Sequence, residues 1–128
     1  MVNPKQKGKA GENEACEWLM KHLFKDRNLS PNQRQVFIGC DIVAEPFIFE
    51  VKRREALNFN SWWIQISKVH KTLAKFEKMY IPVVMFRPNR SEWEFLISAT
   101  VIGDEIGYIH LNSARFVKWA KNYVTHGK

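Results

Sequence analysis

The chain has 128 residues, of which 45 % are hydrophobic and 26 % charged, the make-up of one ordinary globular domain with enough length to bury a core unaided. Its formal net charge is +7 and its pI about 9.6, which favours a polyanionic partner, nucleic acid ahead of an anionic membrane surface, although a merely soluble basic protein has the same balance. No run approaches the ~20 apolar residues that cross a bilayer, and Cys16 and Cys40 form neither a CxxC pair nor a metal-like spacing with a histidine, which excludes a membrane span and a cysteine metal module. Met1 to Glu14 is polar and lacks the apolar stretch of a signal peptide. The expectation is a soluble, cytoplasmic protein with both thiols reduced in its core.

Residues 1–8 are basic and contain Pro4 and Gly8. They read as a loose arm whose Lys5 and Lys7, with Lys9 beside them, either touch phosphates or belong to a frayed terminus. From Lys9 to about Lys25, Ala15, Trp18, Leu19 and Leu23 recur at helical spacing. Glu12 falls on the inward side of that face, while Glu14 and Glu17 point elsewhere. An acid there either favours the positive end of the helix dipole or reaches over a sheet to a metal. Asp26 to Asn32 is a polar loop. Residues 33–38 read as a first strand, 39–44 as a second and 46–53 as a third, with Gly39 at a turn or bulge.

Glu55 to Asn60 is a connecting loop and Ser61 a plausible N-cap. Trp62, Ile66, Val69, Leu73 and Phe76 then share one helical stripe. Lys68, Lys71, Lys75 and Lys78 recur on another face, which either follows a phosphate backbone or is simply solvated. Gln65 lies near the helix start, placed to orient a water or phosphate or to be a surface glutamine. The apolar run of 81–86 reads as a buried strand after a crossover. Glu92 to Ser98 is another strand, with Trp93, Phe95 and Ile97 alternating. Tyr108 to Leu111 is a short edge strand after a turn at 103–107. Asn112 or Ser113 caps a last helix with Phe116, Trp119, Ala120 and Tyr123 on one face and Arg115, Lys118 and Lys121 on its basic side. Residues 125–128 read as frayed, and the four histidines form no ligand pattern.

The chemistry lies between Gly39 and Lys52. Side chains alternate along a strand, so Glu50 and Lys52 share one face and Phe49 and Val51 the other. Charges in the middle of an apolar strand are costly to bury unless something pairs with them. A bend at Glu45-Pro46 brings Asp41 on the adjacent strand towards Glu50, nine residues away in sequence. Two carboxylates and an ammonium in one small volume suit a hard divalent cation and metal-assisted phosphodiester hydrolysis. Arg53 and Arg54 add positive charge at the strand's outgoing end, for phosphate contact or as a solvated strand end.

The order helix, three strands, helix, two or three strands, helix predicts an α/β fold, a central mixed β-sheet flanked by helices. With an acid on one strand and acid-x-lysine on the next, it resembles the PD-(D/E)xK nuclease superfamily over roughly residues 8–98. Within that superfamily it looks most like the archaeal-type and phage Holliday junction resolvases. Cys40 stands before Asp41 where the superfamily name has proline, and no serine convincingly matches the one these resolvases carry before the first acid. The resemblance implies a restriction-endonuclease-like core in which Asp41 and Glu50 hold Mg2+ or Mn2+, with the Val51 backbone carbonyl a further ligand and Glu12 an outer one. Lys52 would orient the attacking water or stabilise developing charge. Gln65 would match a polar residue that several subfamilies carry on the following helix. The partner implied is DNA, possibly branched, with no membrane role. A two-fold symmetric junction favours a homodimer, to which Trp62, Trp63 and Trp93 are candidate contributors, core packing being the alternative. Rival readings are a non-catalytic DNA-binding module on a nuclease fold, a nicking or exonuclease-type relative, and a binder of acidic proteins with a structural Glu50–Lys52 pair.

Overall fold

A computed structural model describes residues 4–31, 39–53, 57–87 and 92–126, with side chains given for 11–31 and to Val124 in the last stretch. Helix α1 spans Pro4–His22. It begins earlier than the apolar pattern implies, because proline suits the first helical position, where its missing N–H costs nothing. The expected loose arm is therefore helical from Pro4, and the side chains of Lys5, Lys7 and Lys9 lie outside the described residues. The expected strand over 33–38, Arg54 and the turn at 88–91 also lie outside them.

Strand β1 (Ile42–Ala44) and strand β2 (Phe47–Lys52) form a hairpin across Glu45-Pro46. Helix α2 (Phe59–Ala74) crosses to strand β3 (Ile81–Phe86), which runs parallel to β2 with Phe47 opposite Ile81 and Lys52 opposite Phe86. Strand β4 (Glu94–Ser98) and strand β5 (Tyr108–Asn112) add antiparallel, joined through a 3-10 turn at Ala99–Ile102 that ends on Gly103 at φ 88°. Helix α3 (Ser113–His126) follows. The result is a mixed five-stranded sheet in the order β1-β2-β3-β4-β5, with helices on both faces.

Alternation sorts the core into two clusters. Phe47, Phe49, Val83, Met85, Phe95 and Ile97 pack with α1 and α3 on one face. Ile48, Val84, Phe86 and Leu96 pack with Trp62, Trp63, Ile66 and Leu73 of α2 on the other. Phe95 and Phe116 stack face to face at 3.8 Å between centroids. Trp62, Trp63 and Trp93 are all buried, so of their two expected uses they serve the core rather than an interface.

Three local expectations are corrected. Helix α2 starts two residues before Ser61, and Asn58 stands at its N-cap without a side-chain bond. Phe76 is not on the buried stripe: the helix stops at Ala74, and Phe76 is 71 % exposed in the turn beyond. Lys78 likewise lies past the helix, which leaves Lys68, Lys71 and Lys75 exposed along its end. Asn112 is the residue that caps α3, its Oδ1 accepting from Arg115 N at 2.9 Å. Among the described residues no helix is long and apolar enough to cross a membrane.

Candidate active site

The hairpin builds the site. Ile42 stands opposite Phe49, and Asp41 sits in the bend just before β1, beside Phe49 rather than paired in the ladder. Asp41 N donates to Phe49 O at 3.0 Å, and Asp41 Oδ2 accepts from Val51 N at 2.8 Å. The carboxylate thus takes the place of a missing strand residue and is held at the end of β1. In an extended strand the N–H and C=O of one residue leave on the same side, so the Val51 carbonyl opens towards the edge where Asp41 lies.

Glu50 and Lys52 project together towards the α2 side, as alternation requires. Glu50 is 4 % exposed, the one buried charged side chain among the described residues. Lys52 Nζ lies 3.9 Å from Glu50 Oε1, while Glu50 Oε2 is buried with no hydrogen-bond partner. Burial foremost, then the hydrogen bond and charge of Asp41, push the Glu50 carboxyl up to about 9 against the opposing pull of Lys52. Glu12 comes from α1 on the other face of the sheet. Burial, then the charge and hydrogen bond of Asp41, push it up to about 7. Glu12 lies past the first turn of α1, away from the helix start, which removes the helix-dipole explanation; Asp41 interacts with both glutamates.

The donor set is all oxygen with one carboxylate oxygen unsatisfied, which fits a hard divalent cation. Among the described residues no three His, Cys, Asp or Glu side chains make a ready metal shell.

Cys40 is buried beside the site, and burial, with the charges of Glu50 and Asp41, pushes its thiol up to about 12. A thiol held protonated is a packing group rather than a nucleophile. Cys16 is also free and buried, pushed up to about 11.

Gln65 is exposed on α2. The helix turns its buried face at Trp62, Trp63 and Ile66, which leaves the intervening Gln65 facing solvent. Arg53, another expected phosphate contact, pairs with Glu14: its Nη1 lies 3.2 Å from Glu14 Oε1. Glu14 also pairs with Arg87 Nη2. The sequence reading missed this cluster and sent Glu14 elsewhere. A signal was present: Arg53 and Arg87 each follow the last residue of a strand, and parallel neighbours bring such residues side by side. The pairing of His110 Nε2 with Glu94 Oε1 at 2.5 Å was likewise not foreseen.

A groove of about 710 Å³, lined by Arg27, Glu45, Lys78, Tyr80 and Tyr123 among others, lies at the opposite end of β2 from the carboxylates. The acids do not line it. Comparison of the chain with protein-family models, with curated proteins and with solved structures found no match.

Proposed function

We propose that the protein is a metal-dependent DNA endonuclease that hydrolyses phosphodiester bonds, selective for branched substrates of the four-way-junction kind. The observation that carries this is the cluster at the end of the hairpin: the Asp41 carboxylate, held by Val51 N, interacts with Glu50, Lys52 lies beside Glu50, and Glu50 Oε2 is buried and unpartnered. The parallel crossover from β2 through α2 to β3 supports the resemblance to PD-(D/E)xK nucleases.

Asp41, Glu50 and the Val51 carbonyl would hold Mg2+ or Mn2+, which when bound supplies polarisation of the phosphate and an acidified water. Glu12 would take up a proton or a water from Asp41's outer side. Lys52 donates hydrogen bonds to the attacking water or to the phosphate oxygen where charge develops. Water is the nucleophile, and no side chain forms a covalent bond to DNA. The net charge of +7 favours approach of the backbone, and a two-fold symmetric junction would be met by a homodimer.

One observation favours a non-catalytic DNA-binding module: Lys52 already has a partner in Glu50, so the pair is explicable without substrate. A cleavage assay with Mg2+ separates the readings. Labelled four-way junction, linear duplex and single strand are compared, using wild type, Lys52→Ala and a chelator control. Paired symmetric nicks on the junction, lost in both controls, are the expected result. Cleavage of every substrate keeps the nuclease and removes the junction preference. Junction binding without cleavage makes the binding module the better reading.

A further inference from the structure

We propose that Glu14 is a positioning residue: its carboxylate, shared between Arg53 and Arg87, ties α1 to the outgoing ends of β2 and β3 and so holds Glu12 against Asp41. The inference rests on the reading of the acids as a cation site and adds to it a part that lies on the far face of the sheet.

The register sets the clamp up. Lys52 stands opposite Phe86, so Arg53 and Arg87 are the next neighbours along the ladder, and Arg87 N donates to Lys52 O at 3.1 Å. Alternation turns both arginines to the α1 face, away from Glu50 and Lys52. Each oxygen of Glu14 takes one of them: Oε1 takes Arg53 Nη1 at 3.2 Å, and Oε2 takes Arg87 Nη2. The guanidinium of Arg87 is further held over the Trp93 ring, 4.7 Å from its centroid, and Trp93 is buried. Arg87 Nε is buried with no hydrogen-bond partner. Its Nη2 is the donor that pairs with the carboxylate. Gly11 of α1 faces Arg53: a Cβ there would sit in ordinary contact, 3.6 Å from Arg53 Cδ.

Glu12 lies two residues from Glu14, about 200° around the helix. One glutamate reaches the hairpin end and the other reaches the strand ends, on different sides of α1. Two such anchors fix the helix in rotation and in translation. Without Glu14 two half-buried guanidiniums would face each other unpaired, and the first half of α1 would lose the contact that orients Glu12. Charge and shape both matter here, because a fork of two arginines on one carboxylate is geometrically specific.

The test is Mn2+ binding, followed by calorimetric titration at one pH, with circular dichroism melts on every variant. Glu14→Gln is expected to weaken Mn2+ about tenfold, the scale seen when a residue that orients a ligand is lost. Arg87→Lys, which keeps the charge but not the fork, should weaken it in the same direction and serves if Glu14→Gln does not fold. In a Glu12→Gln background, Glu14→Gln should add nothing, because the two act through one contact. Wild-type affinity in both Glu14→Gln and Arg87→Lys, or fully additive losses in the double variant, would overturn the clamp alone. Unchanged Mn2+ affinity with weakened DNA binding also overturns it and makes the arginines phosphate contacts. A wild type that holds no Mn2+ overturns the reading of the acids themselves, and the clamp with it.

Discussion

Glu50 occupies a place in β2 where an apolar side chain would pack more easily. Its carboxyl is 4 % exposed, with one oxygen unpartnered, and a buried polar atom without a hydrogen bond is destabilising by roughly 1–3 kcal/mol. Glu50→Gln should therefore abolish cleavage while leaving the metal-free protein as stable as wild type, or more so, at pH 8 by thermal melting. Loss of stability without loss of cleavage would remove Glu50 from the chemistry. The pH dependence has a definite sign. Glu12 and Glu50 are both raised, to about 7 and about 9, so the folded state holds their protons more tightly than the unfolded chain does. Their contribution is fully present below the ordinary glutamate value and is lost as pH rises through 7 and then 9. Melts of the metal-free protein between pH 5 and pH 9 should show a falling midpoint. Added Mn2+ should raise the midpoint more at the alkaline end, where no proton need be displaced. A slope as steep in Glu50→Gln as in wild type would assign it to other groups.

At the scale of the element, the β1–β2 hairpin makes the site and α3 makes much of the core beneath it. Phe116 is fully buried and stacked on Phe95. Phe116→Ala should cost roughly 3–5 kcal/mol in denaturant titration. Because α3 covers the face opposite Glu50 and Lys52, cleavage below the melting range should change far less than stability does. The cap of α3 is separable from its packing. Asn112→Ala removes the bond to Arg115 N and should cost about 1 kcal/mol, with no change in cleavage. Equal losses in the two variants would mean that the helix is held by its end rather than by its face.

For the whole molecule, the net charge of +7 predicts DNA affinity that falls steeply with salt. Lys68, Lys71 and Lys75 remain exposed at the end of α2, whereas Arg53 is bound to Glu14. If each of the three lysines meets a phosphate, the triple alanine variant should flatten the slope of log affinity against log salt by about 3. An unchanged slope would assign them to a solvated helix face.

The sequence by itself determined the hairpin that carries Glu50 and Lys52, because alternation and a turn at Pro46 are local rules that need no tertiary information; the strand expected over 39–44 shortens to Ile42–Ala44, and Asp41 falls in the bend before it. The parallel crossover and the mixed sheet were legible for the same reason: a long amphipathic helix between two apolar strands has few ways to pack. What lay beyond it was set by neighbours remote in sequence. The start of α1 and the end of α2 turned on terminal geometry that an apolar stripe does not encode. The outward turn of Gln65 and the burial of three tryptophans followed from which helix face met the sheet. Glu14 looked like a surface acid until the register of β2 and β3 set Arg53 beside Arg87. The tertiary structure alone decided that pairing, because ion pairs are made between side chains that only the assembled sheet brings within reach.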